Sequence, residues 1–207
     1  IHPLLGPRLV LKGGTALNLF HLGVRRLSVD ADFNYLGSLD ADTAAGERPL
    51  ILVALKRIAE GQGYRVSQSA DAHASSSLFL GYQNEGGSQD SLKLEVNYMY
   101  RASLGEPEDR SADFPFAGPI TFRLVSFPEL VGGKLVALLD RTAARDLYDA
   151  AALADILDPR DPLLRAVFVA MAGVLPRAIW EYLAQRVERV EERDVRDETR
   201  AAEEPFE

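Results

Sequence analysis

Lys12-Gly13-Gly14-Thr15-Ala16-Leu17 and Arg26-Leu27-Ser28-Val29-Asp30-Ala31-Asp32-Phe33 are the two stretches on which the fold of this chain turns. Residues 9–11 form a short apolar run ahead of the first stretch and read as a strand. Gly13-Gly14 breaks that run, and residues 15–22 read as a helix with Leu17, Phe20 and His21 near one face. Residues 29–36 alternate and read as a second strand, so Asp30 and Asp32 point to the same side of it. Paired carboxylates repel unless a cation stands between them. Their hard oxygens suit magnesium, which binds through one or two carboxylates plus substrate phosphates. The glycines permit close backbone approach, and a helix N-terminus presents free N–H groups to phosphate. Taken singly, an Asp-x-Asp is most often a solvated strand face and a Gly-Gly most often a turn. In this order they supply a phosphate cradle beside a metal clamp.

Outward from this pair, residues 49–62 read as an amphipathic helix beginning at Pro49. Residues 64–69, 77–82, 92–100 and 120–125 read as strands, with Glu85-Gly86-Gly87-Ser88 as a hairpin loop. From Phe127 the pattern is helical, over 128–139, 142–157 and 162–174. A last helix starts near Pro176 and fades into a charge-rich tail from about Glu188. These elements predict an α+β protein, with a mixed-sheet lobe over 1–126 and a helical lobe over 127–207.

The strand around Leu92-Lys93-Leu94-Glu95-Val96-Asn97 puts Lys93, Glu95 and Asn97 on one face. Glu95 is therefore a candidate third carboxylate, against the plainer reading of a half-exposed strand. Farther on, Lys134 follows Phe127-Pro128-Glu129-Leu130-Val131-Gly132-Gly133, and Arg141, Arg145, Asp146 and Asp149 come after it. Lysine acts on phosphate as a point charge. Arg141, Arg145 and Asp149 are spaced to share one helix face, which by itself suggests an ordinary surface ion pair.

The 207 residues suit one compact domain or two small lobes, and 47% hydrophobic residues suffice for a real core. Cysteine is absent, which excludes disulfides and thiolate metal sites. No apolar run is long enough for a membrane span. No signal peptide opens the chain, which begins at Ile1, and a cytoplasmic location is expected. The net charge of −8 argues against a broadly basic nucleic-acid surface, so RNA would need a local patch such as Arg25, Arg26, Arg141 and Arg145. Lysine occurs only at positions 12, 56, 93 and 134, and three of these four fall within the motifs above.

The ordered motifs resemble the AbiEii/AbiGii-type nucleotidyltransferase toxins, a branch of the DNA polymerase β-like nucleotidyltransferase superfamily. Besides the two opening stretches, Lys134-Leu135-Val136-Ala137-Leu138 with Arg141, and Arg145-Asp146-Leu147-Tyr148-Asp149, match the closing runs of that family. The resemblance covers residues 12 to about 155. It implies a nucleotidyltransferase lobe followed by helices, with Asp30 and Asp32 as magnesium ligands. It further implies a nucleoside triphosphate held by Gly13, Gly14, Thr15, Ser28, Lys134 and Arg141. Asp146 becomes a further active-site carboxylate, and either it or Glu95 completes the catalytic set. The family implies a toxin restrained by an antitoxin protein, in a toxin–antitoxin or phage-defence pair, with transfer of a nucleotide to RNA, tRNA foremost. Two other expectations stand beside this one: transfer to a protein or small-molecule hydroxyl, and a non-catalytic module that binds nucleotide or a partner. His2, His21 and His73 do not cluster. His21 reads as structural, Trp180 and Tyr182 as core residues, and the tail beyond Arg186 as a solvated helix end.

Overall fold

The computed structural model describes residues 2–26, 28, 30–69, 74–114 and 117–182. His73 and the charged tail lie outside these residues, as do Leu27 and Val29. Strand β1 (Leu9–Lys12) runs directly into helix α1 (Gly13–Phe20). Gly13, at φ 74°, makes the turn that lets the strand become a helix without a linker. Strand β2 (Asp30–Tyr35) returns antiparallel to β1. Helix α2 (Ala41–Gly61) then leads to β3 (Arg65–Gln68), β4 (Ser75–Gln83) and β5 (Gln89–Asn97). Strands β6 (Glu108–Phe114) and β7 (Gly118–Leu124) form a hairpin, followed by α3 (Phe127–Arg141), α4 (Ala144–Ala154), α5 (Pro162–Ala172) and a short 3₁₀ turn at Ile179–Glu181. The strands build one mixed sheet in the order β3-β4-β5-β2-β1-β7-β6. The expected α+β architecture is thus present.

Alternation divides the labour of the sheet. Phe33, Leu78, Leu80, Leu94 and Val96 point to one face, where Ile51, Leu52 and Leu55 of α2 cover them. The polar residues of the same strands point to the other face, and the candidate site lies there. A separate buried cluster joins Leu17 and Leu22 to Val131, Ala152, Leu153 and Leu164, so α1 is the element on which the C-terminal helices dock.

Several elements depart from expectation for identifiable reasons. Helix α2 starts at Ala41 and carries Pro49 in its interior rather than at its first turn. Asp40 sets this start by accepting hydrogen bonds from Thr43 N and Thr43 Oγ1, both at 2.7 Å. An interior proline costs about 3 kcal/mol. The turns around it are pinned to the sheet by Glu47, which accepts Arg8 Nε and Nη2 at 2.8 Å and Tyr35 Oη at 2.7 Å. Arg48 adds bonds to Ser76 Oγ and Ser75 O. Strand β5 stops three residues earlier than expected because the Asn97 carboxamide accepts from Met99 N and Tyr100 N and turns the chain. Strand β6 escapes a hydrophobic reading altogether: Glu-Asp-Arg-Ser-Ala-Asp is an edge strand, guarded by charge. Past α5 the described chain has only the 3₁₀ turn, and Trp180 is 83% exposed rather than in a core.

Arg8 and Tyr35 hold the Glu47 carboxyl far down, at about 2 against an ordinary 4.5, because both donate to it. A depressed carboxyl stabilises the fold above its unfolded value and ceases to do so as pH falls through the folded one. Urea midpoints measured across pH should therefore drop between about 4.5 and 2. In Glu47→Gln that acid limb should be shallower, from a lower plateau at neutral pH.

Candidate active site

The site begins as a row across four strands. Lys12 of β1, Asp32 of β2, Glu95 of β5 and Ser77 of β4 are register partners in succession, so their side chains stand side by side on the uncovered face. One step along, Asp30 is opposite Lys93. The helix end adjoins this row: a Cβ placed on Gly13 would stand 2.8 Å from Asp32 Oδ2. At Gly14 it would stand 2.9 Å from Ser28 Oγ, 3.0 Å from Arg26 Nη2 and 3.5 Å from Lys134 Nζ. A side chain at Gly14 would displace these side-chain ends, and Gly13 is required by its φ as well. Thr15 Oγ1 donates to the Asp30 carbonyl and fastens the first turn of α1 to β2. Gly13, Gly14, Thr15, Ser28, Asp30, Asp32 and Lys134, separated by up to 121 residues in sequence, are brought together.

The carboxylates fall into two electrostatic kinds. Burial pushes the Asp32 carboxyl up; Lys12 opposes this, while Asp30 and Glu95 add to it. Burial likewise pulls the Lys12 ammonium down, against the attraction of Asp32, Glu95 and Glu129. Among the described residues no side chain hydrogen-bonds or ion-pairs directly with the carboxylate of Asp30 or Asp32. Glu95 differs. Although burial opposes ionisation, Lys93 and Ser77 outweigh it and hold the carboxyl low, with Lys93 Nζ at 2.5 Å and Ser77 Oγ at 3.2 Å from Oε2.

Behind the glycines is a buried ion network. Asp149 is fully buried and takes Arg26 in a two-pronged contact, Nε to Oδ1 at 2.8 Å and Nη2 to Oδ2 at 2.7 Å. Lys134 Nζ lies 2.7 Å from Asp149 Oδ2 and 3.5 Å from Asp146 Oδ1. Asn18 Nδ2 bridges Asp149 Oδ1 and the Gly14 carbonyl. Arg141 grips Asp146 with Nε at 2.5 Å and Nη2 at 2.9 Å. In both aspartates burial raises the carboxyl but the cations more than offset it, so both are held low. Two expectations are corrected here. Thr142, at φ 51°, ends α3, so Arg141 and Arg145 sit on different helices rather than one face. Asp149 is no surface residue but the hub of the network. Arg26, Asn18 and Lys12 were also missing from the sequence-level site. The spacing of Asp146 and Asp149, three apart on a helix, was the signal that both face the same way.

A cleft of about 490 Å³ opens beside these groups. Lys12, Gly13, Gly14, Asp32, Lys134 and Arg141 line one part, and apolar residues including Tyr100, Leu104 and Met171 line another. Glu129 fixes the wall by accepting Ser103 Oγ at 2.6 Å and Leu104 N at 3.0 Å. Among the described residues no three His, Cys, Asp or Glu stand close enough to hold a metal by themselves. Two carboxylates with no direct side-chain partner do fit a hard divalent cation whose remaining ligands come from phosphate and water. His21 belongs to the packing, stacked on Phe127 at 4.9 Å, with its imidazole pushed down by burial. No helix among the described residues is long and apolar enough to cross a membrane.

The fold is that of nucleotidyltransferases. MenT4, a nucleotidyltransferase toxin of Mycobacterium tuberculosis H37Rv, superposes with a TM-score of 0.66 at 22% identity, over 97% of this chain and 70% of its own. JHP933 of Helicobacter pylori superposes with a TM-score of 0.51 at 24% identity, over 72% of this chain and 59% of its own, so the chain spans less than two thirds of that protein. The chain belongs to the AbiEii family, the nucleotidyl transferase toxins of type IV toxin–antitoxin systems, whose profile matches residues 1–206. No curated protein shows significant similarity to it.

Two variants separate the two kinds of carboxylate. A carboxyl whose folded-state value is raised is destabilising in its charged form at neutral pH. Asp32→Asn should therefore raise Tm at pH 7, by about 2–4 °C for each kcal/mol relieved in a chain of this size. Asp149→Ala should do the reverse, since it leaves Arg26 and Lys134 buried without their counter-ion, a loss of about 3–5 kcal/mol in urea unfolding. A neutral outcome for Asp149→Ala would mean that the network is not a structural hub.

Proposed function

We propose that this chain transfers a nucleoside monophosphate from a nucleoside triphosphate to an acceptor hydroxyl, with Mg²⁺ held at Asp30 and Asp32. The observation that carries the reading is the close approach of Gly13 to Asp32, which sets a helix N-terminus against a carboxylate pair that no described side chain hydrogen-bonds or ion-pairs. The triphosphate lies along Gly13, Gly14 and Thr15, with Ser28, Lys134 and Arg141 completing its cradle. The bound cation would supply charge neutralisation at the reacting phosphate and its oxygens. The acceptor oxygen bonds to the α-phosphorus, the bond from that phosphorus to the bridging oxygen breaks, and pyrophosphate leaves. The hydroxyl proton needs a base. Asp146 is fully buried and engaged by Arg141 and Lys134, so its part is to orient Lys134. Glu95 stands next to Asp32, and both of its hydrogen bonds fall on Oε2, so Oε1 can receive the proton. The division at residue 126 belongs to the same proposal: the sheet lobe brings the carboxylates, and the helical lobe brings Lys134, Arg141 and Asp146.

The family resemblance supports tRNA as acceptor and a cognate antitoxin as the restraining partner. One observation favours the second reading, a protein or small-molecule hydroxyl. Three of the arginines that could form a basic track are engaged with acids: Arg26 with Asp149, Arg141 with Asp146, and Arg25 with Asp155 at 3.3 Å. The deciding experiment incubates the protein with Mg²⁺, total tRNA and each α-labelled triphosphate in turn. Label is expected in tRNA, and Asp30→Ala should reduce transfer by a factor on the order of 10³ or more while its circular dichroism is unchanged. Full activity in Asp30→Ala would refute the site. Label reaching only protein or small molecules would move the acceptor to the second reading.

A further inference from the structure

The polar face of the sheet holds three carboxylates within two adjacent strands, Asp30, Asp32 and Glu95, yet they do not form a three-carboxylate metal cluster. Neighbouring strands are about 4.8 Å apart, so a free Glu95 side chain, with three rotatable bonds, could reach a cation bound at Asp32. What it meets instead is Lys93, two residues earlier on the same strand and on the same face. The Lys93 ammonium is 2.5 Å from Glu95 Oε2 and in the field of Asp30 and Asp32 as well. Lys93 is also the register partner of Asp30, so it stands beside Asp30 on the face that carries the three acids. Ser77 donates to the same oxygen of Glu95 from β4 and fixes the carboxylate in this pose.

We propose that Lys93 stands in for a second divalent cation: its ammonium neutralises Glu95 and leaves Asp30 and Asp32 as a site for one metal ion only. The inference rests on the reading of Asp30 and Asp32 as metal ligands. The arithmetic of charge agrees with it. Three carboxylates face two ammonium groups, Lys12 and Lys93, which leaves one net negative charge for an incoming cation to cover. Removing Lys93 doubles that deficit and frees a third oxygen ligand. An ammonium cannot exchange a ligand for the acceptor hydroxyl as a metal can, so Lys93 is a positioning residue, and activation of that hydroxyl falls to Glu95.

The test counts bound Mn²⁺ on the whole chain by isothermal titration and by the loss of the free-ion electron paramagnetic resonance signal. Wild type should bind one equivalent, and Lys93→Met should bind two. Lys93→Arg, which keeps a cation beside Glu95, should return to one, as should the double variant Lys93→Met/Glu95→Gln. A purely structural lysine would change melting behaviour without moving this stoichiometry. Two equivalents in wild type, or a single equivalent in a Lys93→Met protein with native circular dichroism, would overturn the inference while leaving the carboxylate pair as ligands. No binding in wild type would sink the pair itself and the inference with it.

Discussion

A carboxylate buried without a counter-ion is among the most expensive things a small protein can contain, and Asp149 would be such a group but for Arg26 and Lys134. Those two cations come from distant parts of the chain. Arg26 follows α1 and leads into β2, and Lys134 lies in the middle of α3. Their shared anion is on α4. Because neither cation can leave without stranding the other charge, the pairing fixes three segments in one arrangement. Asn18 extends the grip to the Gly14 carbonyl. The first turn of α1 is therefore held from behind by the ion network and from the side by Thr15 on β2. The Gly-Gly turn owes its position to this clamp more than to its own conformational preference.

The same network explains why the two groups of aspartates behave in opposite ways. Asp146 and Asp149 are wholly buried yet remain ionised, because guanidinium and ammonium groups answer nearly every oxygen they have. Asp30 and Asp32 are only half buried, and the cations of the network form their direct ion pairs with Asp146 and Asp149 on α4 instead. Lys12 acts on Asp32 through space, while burial pushes its own ammonium down. The fold thus spends its strong cations on structure and leaves the carboxylates at the cleft short of positive charge. An exposed pair of aspartates could be relieved by water, and a fully buried pair would take up a proton. The half-buried pair has neither full hydration nor a direct ion pair, an environment in which a divalent cation is a favourable partner.

Much of this was legible in the sequence because it rests on short-range rules. The strand parity that aligns Asp30 with Asp32, the Gly-Gly opening of α1 and the polar face of β5 follow from periodicity and turn chemistry alone. What escaped reading depends on partners distant in the chain. Asp149 looks like a surface residue next to Arg145, and only the docking of α4 on α1 reveals that Arg26, 123 residues earlier, is its partner. The start of α2 was misplaced because Pro49 is a strong local stop signal, while the contacts that override it reach back to Arg8 and Tyr35. Strand β6 has no apolar alternation because an edge strand need not bury either face. Thr142 in the left-handed region, which separates Arg141 from Arg145, carries no glycine to announce it.

The division between structural and chemical charge also bears on what the cleft can accept. Of the basic residues near the aspartates, Arg26, Arg141 and Lys134 are already committed to α4, and Lys93 is committed to Glu95. Long-range attraction for a polyanion would have to come from residues that neutralise no acid of their own, in a chain whose net charge is −8. On the proposed reading the triphosphate is less bound by this limit, because backbone N–H groups and a bound cation share its charge with Lys134 and Arg141, which can stay paired to α4. The acceptor is not so relieved. If Glu95 is the base, as proposed, a hydroxyl approaching it is selected mainly by shape and by contacts with the uncovered strands and the apolar wall of the cleft, with electrostatic steering in a minor part. That constraint follows from the buried network itself: the arginines that pair with α4 behind the Gly-Gly turn are the ones already engaged by acids rather than open to a nucleic acid.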